Sequence, residues 1–289
     1  EFLNSLKKIK NITPTFIEKS QLKNANFAKE LSNLSLQPWG WSPATHHALK
    51  LLKPQTCEAF QMSPNYHWQN KQKEIVSRKF SAIILKNIVT NNPKESYLPK
   101  DFHPISATNL NKISELLEKW SQVVLKAPWS SSGRGVQMLR YAELNKSNNQ
   151  WISGVIKQQG YIMVEPLLEK LEDFSLQFHI SRKAINFLGV GKFDTNSNGQ
   201  YISNTLKPDV NFIEQIIPID KLVHHIKAAL EASQIQDNYE GYAGVDLMTI
   251  TLNKKTFIHP CVEINWRYNM GLVALQLHRL IHQEARGKF

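Results

Sequence analysis

The chain has 289 residues, of which 42% are hydrophobic and 20% are charged, and its formal net charge is +11 at pH 7. This composition is typical of a globular protein with one large or two medium domains, and the absence of an apolar run of about 18 residues argues against a membrane span. The excess of lysine and arginine over aspartate and glutamate favours anionic partners such as nucleotides and carboxylates. The lysines are scattered rather than clustered, which argues against a nucleic-acid-binding arm.

The two cysteines, Cys57 and Cys261, have neither the spacing of a metal site nor that of a disulfide framework. A reducing compartment is therefore expected, and the cytoplasm is the predicted location. The opening segment EFLNSLKKIK lacks an apolar core of signal-peptide length. It begins with glutamate rather than methionine, so the sequence is compatible with being part of a longer chain.

The first hundred residues are predicted to be helical, with irregular connections. Apolar residues recur at helical spacing within 20–34 and 74–89. Between these segments, Ser42 is suited to cap a helix and Pro43 to occupy its first position, because neither needs an intrahelical N–H partner. Residues 90–104 are polar and interrupted by proline, so we predict an inter-domain link there.

From residue 106 onward, helical patterns alternate with strand patterns. The predicted helices cover 106–120, 148–160, 220–233 and 270–281. The predicted strands lie within 123–139, 161–168, 173–180, 184–193, 242–251 and 256–267. Helices combined with antiparallel hairpins indicate an α+β fold class.

The segment VVLKAPWSSSGRGVQML, at 123–139, places two apolar β-branched runs on either side of serine, glycine and arginine. The glycines alone are typical of a loose hairpin. They would equally let backbone N–H groups approach an anion, with Lys126 and Arg134 supplying positive charge, as in a lid over phosphates. Both interpretations stay open on this segment alone.

Two later segments, GYAGVDLMTI and HPCVEINWRYNMG, carry carboxylates on predicted strands. Alternate side chains share a face of a strand, so Glu263 and Asn265 are expected to point the same way, with Cys261 and Arg267 beside them. Asp246 is a lone carboxylate in an apolar strand, where burial without a partner is costly. If the two strands pair, three oxygen ligands suited to Mg²⁺ converge. The alternative is a pair of salt-bridged or edge-exposed carboxylates.

Taken together and in this order, these segments resemble the ATP-grasp superfamily over roughly 106–286. VVLKAPWSSSGRGV resembles its nucleotide lysine and glycine-rich lid, and MVEPLLEKLEDFSLQF resembles its adenine hinge and ribose-binding acid. GYAGVDLM and VEINWR resemble its two metal-binding strands. The resemblance implies an ATP-grasp domain at 106–289, with a lid subdomain at 106–164 and a metal-site subdomain at 165–289 that clasp ATP. A smaller, mainly helical or α/β pre-ATP-grasp-like domain at 1–105 would precede it.

The resemblance also implies a set of site residues. The residues expected to contact the nucleotide are Lys126, Ser131, Ser132, Gly133, Arg134, Gly135, Glu165, Leu167 and Asp173, with Glu172 as the alternative to Asp173. The expected ligands of Mg²⁺, or of Mn²⁺, are Asp246, Glu263 and Asn265. The catalytic residues implied are Lys126, on the ATP phosphates, and Arg267, on the transferring phosphoryl group or the substrate carboxylate.

One position departs from the resemblance, because many members carry an arginine just before the first metal aspartate. Here Ala243, Gly244 and Val245 precede that aspartate. The charge-stabilising role would then fall on Arg267 or Arg134. A separate candidate for lining the substrate cleft is the turn PWGWSP, with Arg78 and Lys79 further along the chain.

The implied activity is ATP- and magnesium-dependent ligation, in which a carboxylate becomes an acylphosphate and an amine or similar nucleophile then displaces phosphate. Two alternatives are a kinase of the same fold and a non-catalytic protein that binds nucleotide or nucleic acid. A P-loop is excluded because no Lys-Ser/Thr follows the glycines, and the dinucleotide pattern GxGxxG is missing. Cys261 is interpreted as a small packing residue rather than a nucleophile.

Overall fold

The computed structural model describes residues 15–130, 135–140, 145–196, 199–280 and 286–288. The chain divides into two compact units, the first ending at Trp68 and the second beginning at Gln69. Within the described part of the first unit, the α-helices are short: α1 (Ala25–Glu30), α2 (Pro43–Ala48) and α3 (Glu58–Gln61). Where a helix was predicted within 20–34, the structure has a short 3₁₀ turn at Gln21–Lys23 followed by α1.

Capping fixes the start of α2. Ser42 Oγ accepts a hydrogen bond from the backbone N–H of Thr45 at 3.1 Å, and Pro43 is the first helical residue. The side-chain oxygen satisfies one of the N–H groups that a helix leaves unpaired at its N-terminus. The predicted cap at Ser42 is thus confirmed.

An aromatic cluster holds the first unit together. Trp41 lies 4.7 Å from the ring of His46 and 5.8 Å from that of Phe60, measured between ring centroids. Lys53 Nζ lies 2.8 Å from His46 Nδ1 and also donates to the carbonyl oxygen of Tyr66. Burial, followed by the charge of Lys53, lowers the pKa of His46 to about 4, so its imidazole is neutral at pH 7 and accepts from the lysine.

The second unit contains antiparallel sheets in its described residues. The smaller sheet has the strand order β1-β4-β2-β3, from β1 (Ile105–Ala107), β2 (Gln122–Lys126), β3 (Val136–Arg140) and β4 (Ile162–Pro166). The larger sheet has the order β10-β7-β6-β5-β8-β9, from β5 (Glu169–Ile180), β6 (Ile185–Thr195), β7 (Tyr201–Leu206), β8 (Gly241–Leu252), β9 (Lys255–Asn265) and β10 (Gly287–Lys288). Its helices are α4 (Asn70–Ile75), α5 (Arg78–Asn91), α6 (Leu110–Trp120), α7 (Lys146–Gln159), α8 (Asn211–Glu214), α9 (Ile219–Ala232) and α10 (Met270–Leu280).

Each sheet has its own apolar core. Ile113 and Leu117 of α6 pack with Ile152 of α7 against Leu125 and Val164 of the smaller sheet. These helix residues follow the predicted periodicity, and the apolar face of α6 is buried at its centre, at Ile113, Leu116 and Leu117.

The larger sheet has one apolar face and one polar face. Along β5, the side chains of Phe174, Leu176 and Phe178 belong to the core that includes α5 and α9. Side chains alternate along a strand, so Ser175 and Gln177 point to the opposite face. This polar face carries the predicted metal ligands, and Asp173 of β5 belongs to it as well.

The segment predicted as an inter-domain link packs into this core instead. Tyr97 and Leu98 are buried. The N–H of Leu98 donates to the carbonyl of Ile258 at 2.9 Å, and the N–H of Ile258 donates to the carbonyl of Ser96 at 2.8 Å. Residues 69–105 thus belong to the same compact unit as the larger sheet. The division at 1–105 and 106–289 does not coincide with the boundary of the compact units and stays a prediction about family domains.

Several shorter elements differ from the sequence prediction. The helix predicted at 74–89 is interrupted at Ser77, whose Oγ accepts from the N–H of Phe80 at 3.3 Å and caps α5. Strands β1 and β7 were not predicted. For β1 the reason is that it has only three residues and no clear alternation. None of the described helices has the length and apolarity needed to cross a bilayer.

Candidate active site

The pairing of β8 with β9 brings the predicted metal ligands together. Asp246 lies opposite Glu263, and Gly244 lies opposite Asn265. Asn265 Nδ2 donates to Asp246 Oδ2 at 2.7 Å. All three polar side chains are partly accessible, so a cation could reach them from the polar face of the sheet.

The electrostatics of this cluster suit a cation. Burial, followed by the negative charge of Glu263, raises the pKa of Asp246 well above its ordinary value. A divalent ion would offset both effects, since oxygen donors of this kind are the ligands that Mg²⁺ takes in proteins. The described residues contain no group of three His, Cys, Asp or Glu side chains with metal-binding geometry, and the donor set here is two carboxylates and one amide.

The expected position of Cys261 was wrong. The register of β8 and β9 shifts between the Asp246–Glu263 pair and the Met248–His259 pair, so β9 contains extra residues at this point. A bulge of this kind breaks the simple alternation of side chains.

Cys261 is consequently buried against α5 rather than open on the polar face. It is 1% exposed, and its Sγ lies 3.5 Å from the carbonyl oxygen of Ser81 in α5. Val262, which strict alternation would place in the core, is partly exposed. Burial raises the pKa of the Cys261 thiol, which keeps it protonated at neutral pH and fits a packing role.

Arg78, the first residue of α5, contacts Glu263 directly. Its Nη2 and Nε lie 3.1 and 3.3 Å from Glu263 Oε2. Its Nη1 donates to the carbonyl of Ala127 at 2.6 Å and to Ser130 Oγ at 2.5 Å. The side chain is 6% exposed, so these contacts are made away from water. One guanidinium thus joins a predicted metal ligand to the start of the predicted lid, and the sequence indicated neither contact.

Lys126 and Glu165 form a buried ion pair on neighbouring strands of the smaller sheet. Lys126 Nζ lies 2.6 Å from Glu165 Oε2, and both side chains are nearly inaccessible. At the end of β4, the N–H of Leu167 donates to the carbonyl of Gln122 at 3.0 Å. The backbone N–H of Leu167 is therefore engaged in a hydrogen bond within the sheet. A backbone contact between this residue and adenine would have to use its carbonyl oxygen.

A backbone hydrogen bond joins the two ends of the predicted lid in its described residues. The N–H of Ala127 donates to the carbonyl of Gly135 at 2.7 Å. A Cβ at Gly135 would lie 2.4 Å from Ser130 Oγ, so glycine is required by this close approach. Four predicted lid residues lie outside the described residues: Ser131, Ser132, Gly133 and Arg134.

Asp173 rather than Glu172 shares the polar face with Asp246. Ser175 lies opposite Asp246, and Asp173 is two residues before Ser175 on β5, so alternation puts the two carboxylates on the same side of the sheet. Asp173 Oδ2 accepts from Thr195 Oγ1 at 2.9 Å. Glu172 forms a separate ion pair, in which its Oε1 lies 2.5 Å from Lys192 Nζ.

Arg267 lies beside the predicted metal ligands. Its Nη2 donates to Asn265 Oδ1 at 2.9 Å, and its Nη1 donates to the carbonyl of Tyr268 at 3.3 Å. Asn265 therefore links Arg267 to Asp246 through two consecutive hydrogen bonds. A positive charge at this position can neutralise an anion bound next to the cation.

Gly244 explains the missing arginine before the aspartate. A Cβ at this position would lie 2.6 Å from Asn269 Nδ2 and 3.0 Å from Gln177 Oε1. Both amide side chains are buried, at 7% and 1% exposure. The space beside Asp246 is thus filled from β5 and from the residue that precedes α10, which leaves no room for an arginine side chain.

No family model matches the sequence, and no curated protein matches it either. Solved structures do. A biotin carboxylase from Campylobacter jejuni, in complex with βγ-ATP, is 13% identical with a TM-score of 0.52, and the match covers 95% of this chain and 53% of that one. N5-carboxyaminoimidazole synthetase from Staphylococcus aureus, complexed with ADP, is 15% identical with a TM-score of 0.50, covering 89% and 58%. Both are ATP-grasp enzymes.

The chain has the ATP-grasp fold. The biotin carboxylase domain of 2-oxoglutarate carboxylase from Hydrogenobacter thermophilus gives a similar match, with 15% identity, a TM-score of 0.51, and coverage of 72% of this chain and 46% of that one. The predicted α+β ATP-grasp fold is therefore confirmed, whereas the nature of the N-terminal domain stays a prediction. The chain spans about half the length of these ATP-grasp structures.

Replacing Gly244 by alanine tests how tightly the polar face of the larger sheet is packed beside Asp246. The new Cβ would collide with the amides of Asn269 and Gln177, so we expect the free energy of unfolding to fall by about 1–3 kcal/mol. Gly154→Ala is the matched control, because nothing lies within 4 Å of its added Cβ in α7. The control should gain up to about 1 kcal/mol from helix propensity. Urea unfolding measures both, and equal stability of the two variants would contradict the packing described here.

Proposed function

We propose that the protein is an ATP- and Mg²⁺-dependent ligase that activates a carboxylate as an acylphosphate for attack by an amine or a similar nucleophile. The observation that carries this proposal is the convergence of Asp246, Glu263 and Asn265, with Arg267 hydrogen-bonded to the last of them. An ion pair or a packing role alone would not require two carboxylates and an amide side by side, where burial and then the charge of Glu263 raise the pKa of Asp246.

Each residue has a role in this scheme. Asp246, Glu263 and Asn265 would hold the metal, which when bound offsets charge on the phosphate oxygens. Lys126 would contact the phosphates from the smaller sheet, after exchanging its present partner Glu165 for them. Arg267 would orient the acceptor carboxylate or the transferring phosphoryl group.

Bond making and breaking then need no protein nucleophile. A carboxylate oxygen attacks the γ-phosphorus of ATP, and the bond to the leaving ADP oxygen breaks. The amine nitrogen next attacks the acyl carbon, phosphate leaves, and the nitrogen loses a proton. A closed lid would exclude water that could hydrolyse the acylphosphate.

The comparisons support nucleotide and magnesium use. The related structures were determined with βγ-ATP, with ADP, and with MgADP and bicarbonate. The lid residues proposed to cover the phosphates are Ser131, Ser132, Gly133, Arg134 and Gly135, and those proposed at the adenine and ribose are Glu165, Leu167 and Asp173. These assignments follow the resemblance of the segments to the ATP-grasp superfamily.

A product assay tests this function. The protein is incubated with ATP, Mg²⁺ and pooled small acids and amines, and the products are identified by mass spectrometry. A ligase gives ADP, free phosphate and a joined acid and amine, and EDTA should abolish all three. A stable phosphorylated acceptor without free phosphate would indicate a kinase, and ATP binding without any turnover would indicate a nucleotide-binding protein. Either result would overturn the ligase proposal.

A further inference from the structure

Three rings form a continuous wall on the polar face of the larger sheet. The ring centroids of His179 and Tyr242 are 4.9 Å apart, and those of Tyr242 and Tyr268 are 4.8 Å apart. All three side chains are partly accessible. We name the set His179, Tyr242 and Tyr268 the aromatic wall.

Along the larger sheet, the predicted ribose-binding residue Asp173, the metal ligands and the aromatic wall follow one another in that order. On β5, Asp173 comes two residues before Ser175, which pairs with Asp246 on β8. The same register pairs His179 with Tyr242, four residues further along both strands. Four residues of a strand span about 13 Å. A nucleotide that extends from Asp173 to the metal therefore ends between the metal ligands and the aromatic wall, and its acceptor must bind there.

Arg267 contacts both a predicted metal ligand and the backbone of a wall residue. Its guanidinium donates to Asn265 on one side and to the backbone of Tyr268 on the other. Among the described residues, it takes part in no salt bridge with a carboxylate. A guanidinium held in this way can bind an incoming carboxylate in two-pronged geometry.

Neighbouring residues hold the backbone of the wall in place and keep Tyr268 neutral. Burial, followed by the proximity of Tyr242, raises the pKa of Tyr268, so its hydroxyl stays neutral at pH 7. Tyr239 Oη donates to the carbonyl of Tyr242 at 2.5 Å, and the ring of Tyr239 packs 5.1 Å from that of Trp266. Rings fixed in this way offer faces and edges for stacking at little entropic cost.

We propose that Arg267 and the aromatic wall together select an aromatic or heteroaromatic carboxylic acid as the acceptor. The carboxylate would bind Arg267 next to the γ-phosphate, and the planar ring would pack on Tyr242 and Tyr268. A cationic acceptor would be repelled by Arg267, and a saturated ring would lose the favourable ring–ring geometry. This inference rests on the proposed ligase function, because it names the acid that the same site activates.

A matched pair of acids tests the inference. Benzoate and cyclohexanecarboxylate have the same number of ring atoms and the same charge, but only benzoate is aromatic. Hydroxylamine serves as the nucleophile, since it converts any acylphosphate into a hydroxamate with release of phosphate, and the hydroxamate forms a coloured complex with added Fe³⁺. We expect kcat/KM to be about tenfold higher for benzoate than for cyclohexanecarboxylate.

Variants locate the preference in the wall. Tyr242→Leu should bring the ratio of the two kcat/KM values close to one, mainly by raising KM for benzoate. The control Tyr201→Leu removes a tyrosine that is 43% exposed on β7 and should keep the wild-type ratio. For both variants, the dissociation constant of Mg·AMP-PNP and the melting temperature are measured in parallel and should match the wild type.

The possible failures are separable. If the wild type binds Mg·AMP-PNP and activates aliphatic acids as well as aromatic ones, the inference is overturned while the ligase proposal stands. A folded Tyr242→Leu variant that keeps the preference for benzoate would also overturn it. Failure of the wild type to bind Mg·AMP-PNP would instead remove the proposed function and the inference with it.

Discussion

Replacing Glu263 by glutamine is expected to lower kcat by about 100- to 1,000-fold, since the change removes one of two carboxylate charges proposed to hold Mg²⁺ against ATP. Glutamine keeps the size of the side chain and can still accept a hydrogen bond from Arg78. The ion pair with Arg78 is lost, but so is the repulsion of Asp246. We therefore expect a fall of only about 1 kcal/mol in the free energy of unfolding.

Two controls accompany Glu263→Gln. Glu95→Gln also removes a carboxylate from an ion pair, with Lys221 at 2.6 Å, but away from the site, and should keep full turnover. Cys261→Ala truncates the buried neighbour of Ser81 and should keep most activity at a small cost in stability. Steady-state ATP turnover and urea unfolding are measured for all three. An active, magnesium-dependent Glu263→Gln protein would contradict the metal assignment, and an inactive Cys261→Ala protein would indicate nucleophilic catalysis.

Asp246→Asn is expected to abolish turnover and, at the same time, to stabilise the metal-free protein at pH 7. The folded state raises the pKa of Asp246, so it binds the proton more tightly than the unfolded state does. Ionisation at neutral pH consequently costs stability that is present at low pH and is lost as the pH rises. Asparagine carries no charge and still accepts from Asn265. Each kcal/mol recovered would raise the Tm by about 2–4 °C in a chain of this size.

Asp194→Asn is the control of opposite sign. Hydrogen bonds from Lys288 and Ser203 lower the pKa of Asp194, so its charge contributes stability above its unfolded pKa that is lost as the pH falls. Its removal should lower the Tm slightly at pH 7 and leave turnover unchanged, because the side chain is exposed and outside the site. Melting is followed with EDTA present at pH 4 and pH 7. If the Tm of Asp246→Asn at pH 7 is lower than that of the wild type, the charge of Asp246 is not destabilised by burial and by the charge of Glu263.

Local patterns predicted the parts of the site that depend on local structure. Alternation and strand pairing were sufficient to bring Asp246, Glu263 and Asn265 together, because paired strands have a fixed register on the polar face. The cap at Ser42 followed from side-chain chemistry alone. These features depend on residues close in sequence or on a hairpin between consecutive strands.

Features that depend on irregular or distant contacts were not predicted. The bulge in β9 lies within HPCVE, where Pro260 is a residue that strands tolerate at edges and bulges, but the sequence did not show that Cys261 would be buried against α5. The polar segment around Tyr97 looked like a link because its burial arises from pairing with Ile258, far along the chain. Arg78 could be suspected only as a cation near a helix start, since its partners belong to other segments.

The contact between Arg78 and Glu263 has a consequence for biosynthesis, because 185 positions separate the two residues. At about 5–20 residues per second, the ribosome needs roughly 10–40 s to add Glu263 after Arg78 has been made. Helix α5 can form early, but its first residue stays without its carboxylate until β9 emerges. Nascent chains that stop before β9 would also leave the buried residues of α5 without Ile258 and Ile264 of that strand, so we expect chaperones to bind the protein until β9 is complete.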